Sequence, residues 1–144
     1  MEDSLLNIFN NYIYQTSARY VYYTAIFGDY DSLKKPCFKA PADHRFICFT
    51  DNKTLLHRNT GWEIFLIDDY HRDPRRTAKI FKILPHLFIS GCDYSIWTDG
   101  KNELIKNITP IIPNWGNFHF RAFPHPSRKC AYEEANVCKL EKKD

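Results

Sequence analysis

No run of about eighteen apolar residues occurs in this 144-residue chain, so no transmembrane helix is expected. The start, Met1-Glu2-Asp3-Ser4, lacks the basic-then-apolar pattern of a secretion signal. No Cys-x-x-Cys pair is present, and the five cysteines (Cys37, Cys48, Cys92, Cys130 and Cys138) are odd in number, which argues against a disulfide framework. Cys48 and Cys92 lie in or beside apolar runs, where a free cysteine acts as a small core residue. These absences together point to a reduced, cytoplasmic protein. Net charge is only +3, and no nucleic-acid-binding motif is recognisable, so a nucleic acid partner is not expected. Internal repeats and low-complexity segments are missing as well.

What the chain does have is aromatic residues, 16% of the total, gathered in strand-like runs. Residues 2–16 carry Leu5, Leu6, Ile8, Phe9, Tyr12 and Ile13 on a broad apolar face, which predicts an N-terminal helical extension over residues 1–18. Residues 19–144 then form one domain. Tyr20–Phe27 reads as a strand stopped by the turn cluster Gly28-Asp29-Tyr30-Asp31. Arg45–Thr50, Trp62–Ile67, Tyr94–Thr98 and Phe118–Phe123 read as four more strands. Asp73-Pro74 is a helix start, with Asp as N-cap and Pro at the first helical position. That helix is predicted to run to about Phe88, burying Ile80, Ile83, Leu84 and Leu87, with Pro85 bending its last turn. A final helix is expected over Ala131–Glu141. Strands alternating with a helix imply an α/β sandwich.

Four strands end in an acidic residue: Asp29, Asp51, Asp68 and Asp99. In open α/β sheets ligands bind outside the carboxyl ends of strands, where such groups converge. Asp is also a common turn residue, and the pattern by itself leaves both readings standing. The sharpest segment is Tyr94-Ser95-Ile96-Trp97-Thr98-Asp99-Gly100, a buried strand that delivers a carboxylate followed by a glycine. Transferases that use nucleotide-diphosphate sugars need a carboxylate in such a place, to hold a divalent cation against the diphosphate. Their second acid, one residue on, is replaced here by Lys101, which could itself offset phosphate charge; Glu103 or His125 are alternatives for completing a metal shell. The competing reading of Asp99 is a cap on a turn.

A basic helix start, His71-Arg72-Asp73-Pro74-Arg75-Arg76-Thr77-Ala78-Lys79, places Arg72, Arg76 and Lys79 near one face. Arg75, Lys79, Lys82 and His86 form a neighbouring stripe. Free amides at the helix start and arginine forks would suit a diphosphate; a solvated basic face is the alternative. In His125-Pro126-Ser127-Arg128 through Glu133-Glu134-Ala135, His125 could carry a proton or ligate, Arg128 could clamp phosphate, and Glu133 or Glu134 could act as acid or base.

Taken in order, these segments resemble one family. Tyr23–Asp31, Phe46–Asn52, Gly61–Ile64, His71–His86, Tyr94–Gly100 and His125–Ala135 are similar to successive blocks of the glycosyltransferase-like family linked to plant mucilage and turgor regulation. The likeness spans roughly residues 20 to 138. It implies a Rossmann-like GT-A fold with a mostly parallel central sheet flanked by helices, binding a nucleotide-diphosphate sugar at the strand ends. It also implies transfer of that sugar to a saccharide or other hydroxyl acceptor, as in polysaccharide biosynthesis. Asp29 and Asp51 would lie near the nucleoside. Arg72, Arg76 and Lys79 would contact the diphosphate, with Gly100, Lys101, His125 and Arg128 completing the donor site. Asp99 and Glu133 are the expected catalytic groups, and Asp99 the ligand of a divalent cation, Mn²⁺ or Mg²⁺. Lys101 stands where the family has a small polar residue, and the family's domain continues past the last block, so a domain truncated at its C-terminus is expected. An inactive nucleotide-sugar or saccharide binding module of the same fold is the alternative to an enzyme.

Overall fold

The computed structural model describes residues 11–68, 73–117 and 119–142. The chain divides into two compact units, Met1–Pro110 and Ile111–Asp144. The first is built on a four-stranded sheet from β2 (Tyr20–Ile26), β3 (His44–Thr50), β4 (Glu63–Leu66) and β6 (Tyr94–Trp97). Its order is β4-β3-β2-β6, and every neighbouring pair is parallel. The register sets Tyr20 beside His44 and Tyr94, and Tyr23 beside Ile47 and Trp97.

A parallel sheet covered on both faces calls for near-continuous apolar strands rather than alternating ones. Central β2, Tyr-Val-Tyr-Tyr-Thr-Ala-Ile, meets that demand, and all seven of its residues are buried. On one face Val21, Tyr23 and Ala25 pack with Phe27, Ile47, Phe49 and Ile67 against the helix α1 (Pro74–Ile83). Phe81 is the helix's anchor. Its ring lies 4.0 Å from Phe88, 4.8 Å from Phe49 and 5.5 Å from Phe27, centroid to centroid. On the other face Tyr22, Ile26, Phe46, Cys48 and Trp62 are covered by loop residues including Leu33, Phe38, Leu104 and Ile108. Hydrogen bonds pin these loops. The Tyr22 hydroxyl donates to Asn107 Oδ1 at 2.6 Å and accepts from the Ile108 amide at 2.9 Å, while the Trp62 indole donates to the Lys34 carbonyl. Among the described residues this second face is thus covered by irregular chain and not by the helix that a sandwich flanked on both sides would have.

Several expectations are corrected. Tyr14–Gln15 forms the short strand β1, parallel to β5 (Ile89–Ser90), where helical periodicity had been read; residues 1–10 lie outside the described set. Helix α1 stops at Ile83, short of Phe88, and Pro85–Leu87 continues as a 3-10 turn. Proline lacks the amide to continue the ladder and disfavours helical backbone at Leu84, whose φ and ψ are −121° and 50°. The buried face of α1 is therefore Thr77 and Phe81 with Ala78 and Ile80 beside them, while Ile83 is 69% exposed. In the second unit the expected fifth strand is absent among the described residues: 119–123 are irregular, with Phe120 and Phe123 exposed. The last helix, α2 (Ala131–Leu140), is present as expected. No helix among the described residues is long and apolar enough to cross a membrane.

Phe81→Ala should destabilise the protein by about 3–5 kcal/mol, read from denaturant unfolding. Burial pushes the Cys48 thiol up to about 12. At pH 8 a thiol reagent should therefore label the exposed Cys37 and Cys130 in the native protein and reach Cys48 only on unfolding.

Candidate functional site

Because β2, β3, β4 and β6 run parallel, their carboxyl ends share one edge, and Asp29, Asp51, Asp68 and Asp99 all follow them on that edge. Chain order steps from β2 outward through β3 to β4, then crosses back to β6 on the other side of β2. The order thus reverses between β2 and β6, where such sheets leave a crevice.

Three segments meet at that reversal. Gly28 (φ +61°) and Asp29 (φ +52°) turn the chain sharply after β2. The Asp51 carboxylate braces this turn by accepting the Gly28 amide, 3.1 and 3.2 Å from its two oxygens, and Asn52 Nδ2 donates to Asp29 Oδ1 at 2.7 Å. The start of α1 lies directly on the turn: a Cβ added at Gly28 would stand 2.6 Å from Pro74 Cγ. At the end of β6, Gly100 packs closely on β2, since a Cβ there would meet Ile26 Cγ1 at 2.6 Å and Asp31 Cβ at 3.2 Å. Gly28 and Gly100 are therefore required by close packing of protein on protein.

The helix start carries its own anion. Asp73 caps α1 by accepting from the Arg75 and Arg76 amides at 3.0 and 3.1 Å. Those two amides, expected to be free for a phosphate, are thereby satisfied, a correction that leaves anion binding to side chains. Arg76 and Lys79 are exposed on the helix, and the Arg75 guanidinium lies 5.8 Å above the Tyr30 ring. Arg72 lies outside the described residues. Asp68 accepts from the Tyr12 hydroxyl at 3.0 Å.

Asp99 is held by groups from two elements, β6 and α1. Its Oδ1 accepts from Trp97 Nε1 at 2.8 Å and from Lys82 Nζ at 3.3 Å. Lys82 Nζ also lies 5.6 Å over the Trp97 ring. Partial burial would raise the Asp99 carboxyl, but the indole bond, Lys82 and the nearby Lys101 outweigh it and hold it below the usual carboxylate range. Sequence reasoning had put Lys82 on the basic stripe without assigning it to the site, and it missed Trp97. Lys82 stands one turn after Lys79, and Trp97 two residues before Asp99 on the same face of β6, which is the signal that was available. As a cation site the set fits poorly. It offers one carboxylate, whose Oδ1 is engaged twice, flanked by ammonium groups; among the described residues no three His, Cys, Asp or Glu side chains converge.

The second unit holds its own charged cluster. His125 Nδ1 accepts from the Ser127 and Arg128 amides at 3.1 and 3.0 Å, which makes Nε2 the protonated nitrogen. That Nε2 lies 3.8 Å from Glu134 Oε2, and Arg128 Nε lies 3.1 Å from the same oxygen. Glu134, and not Glu133, is thus the acid facing His125. The Glu133 carboxylate instead accepts the Lys129 amide, reaching back across the start of α2.

Residues 7–144 match the family model of the TOD1/MUCI70 glycosyltransferase-like domain. The chain belongs to this family. It is also similar to the probable hexosyltransferase MUCI70 of Arabidopsis thaliana, at 27% identity over a stretch covering 62% of this chain and 18% of that protein. The chain therefore spans under a fifth of the length of this curated relative. No solved structure matches it. Membership establishes a glycosyltransferase-like domain, and the parallel α/β sheet is compatible with the Rossmann-like architecture such domains use.

Removing the helix cap, Asp73→Ala, should cost about 1 kcal/mol in thermal or denaturant unfolding. By freeing the Arg75 and Arg76 amides and deleting one negative charge, it should leave anion binding at this edge unchanged or stronger.

Proposed function

We propose that this chain binds a nucleotide-diphosphate sugar in a GT-A-like manner and serves transfer of its hexosyl group to a saccharide or other hydroxyl acceptor. One observation carries the reading: the order β4-β3-β2-β6 reverses where the Asp29–Asp31 turn, Asp99-Gly100 and the basic start of α1 come together. Carboxylates on the two strand ends suit the hydroxyls of a nucleoside and sugar, and the arginines and lysines of α1 suit a diphosphate. In this reading Asp29 faces the nucleoside, and Asp51 acts through the Gly28 turn that it braces. Arg76 and Lys79 meet the phosphates. The protein's part in transfer is positioning and stabilisation of the departing nucleotide. The name of the Arabidopsis relative supports the hexosyl class.

The test is calorimetric titration with a panel of nucleoside diphosphates and their sugars, followed by turnover of a labelled donor. Arg76→Ala should weaken a nucleoside diphosphate by about tenfold while leaving the nucleoside unchanged, the signature of a phosphate contact. Equal weakening of both would make Arg76 structural. Saturable binding without transfer or hydrolysis would reduce the protein to a nucleotide-sugar-binding module.

A further inference from the structure

We infer that Lys82, gripped between the Asp99 carboxylate and the Trp97 ring, meets the charge of the donor's diphosphate in the place where a divalent cation would otherwise act. This deepens the reading above and rests on it. Asp99 becomes a positioning residue that acts through Lys82.

The geometry makes the case. Trp97 Nε1 and Lys82 Nζ converge on one oxygen, Asp99 Oδ1, at 2.8 and 3.3 Å. The indole bond fixes the carboxylate, and the carboxylate together with the ring face 5.6 Å away fixes the ammonium. An isolated surface ion pair would contribute little order; here three groups restrain one another. An ammonium has three donors and only one is directed at Asp99, so two remain for another acceptor. Lys82 and Asp99 keep 49% and 44% of their side-chain surface exposed, so the pair is open to a ligand.

The backbone anion site at the start of α1 is already filled, and the side chains of Arg76 and Lys79, exposed on the helix, add their charge beside Lys82. Asp73 already satisfies the Arg75 and Arg76 amides. Lys101 is exposed and its charge also acts on Asp99, so that two ammonium groups offset this one carboxylate. Such a set attracts a polyanion and repels a divalent cation. Its place beside Gly100, which packs on the tip of β2, puts it at the reversal of strand order where the donor is proposed to lie.

The experiment titrates the whole chain with inorganic pyrophosphate, uridine diphosphate and guanosine diphosphate, once with Mn²⁺ and once with EDTA. Binding of pyrophosphate and of at least one nucleotide should persist in EDTA. Lys82→Met should weaken it by about tenfold or more, and Lys82→Arg should restore most of it. Asp99→Asn should weaken binding equally in Mn²⁺ and EDTA, and should add nothing in the Lys82→Met background, as expected of a residue acting through Lys82. Binding that needs Mn²⁺ and vanishes in Asp99→Asn would overturn the inference while leaving the donor-binding reading intact. Nucleotide binding in EDTA that is indifferent to Lys82→Met would also overturn it, and again spare the wider reading. No binding of any probe in either condition would sink both.

Discussion

Everything at the carboxyl edge of the sheet depends on how Phe81 seats α1. A ten-residue helix has little stability of its own in water and is held by the apolar face it buries. Here that face is narrow, and Phe81 is its centre, packed against the rings of Phe27, Phe49 and Phe88. Seating the helix there brings Pro74 onto Gly28 and carries Lys82 to Asp99. Loss of the ring pack would release the basic helix and the charged groups that it delivers.

The second constraint is the all-parallel sheet. Parallel pairing forces the strand ends onto one edge, so four acidic turn residues that are scattered in sequence come to the same edge of the sheet. Their hydrogen bonds then separate their roles. Asp51 is committed to the Gly28 amide and Asp68 accepts from the Tyr12 hydroxyl, whereas Asp99 holds a lysine and an indole. Acids that look equivalent as strand-end residues differ in what their oxygens are already bonded to.

Much of the fold was legible because its strands are short, apolar and rich in aromatic and β-branched residues, signals that need no tertiary partner. The positions of β2, β3, β4 and β6 follow that pattern to within a residue or two. The misreadings share a cause. Phe118–Phe123 alternates like a strand, yet residues 119–123 join no strand ladder among the described residues, and alternation alone makes no ladder. Tyr14 and Gln15 lie at the end of the segment read as helical but pair as a strand with Ile89–Ser90. On α1 the expected stripe holds at Ile80 and fails at the exposed Ile83, while Leu87 packs against the same core from the 3-10 turn, because Pro85 ends the helix at Ile83.

By itself the sequence determined the strand tips, the two helix starts and the family likeness, since each rests on residues close together in the chain: Asp73-Pro74, Thr98-Asp99-Gly100, His125-Pro126. Which charged groups face one another was decided only by the tertiary structure. Lys82 and Asp99 are separated by a helix end, a 3-10 turn and two strands, and Asp51 and Gly28 by a loop and a strand. Hydrogen bonds and ion pairs act over about 3–4 Å, a distance that chain spacing does not encode and that packing of the aromatic core sets.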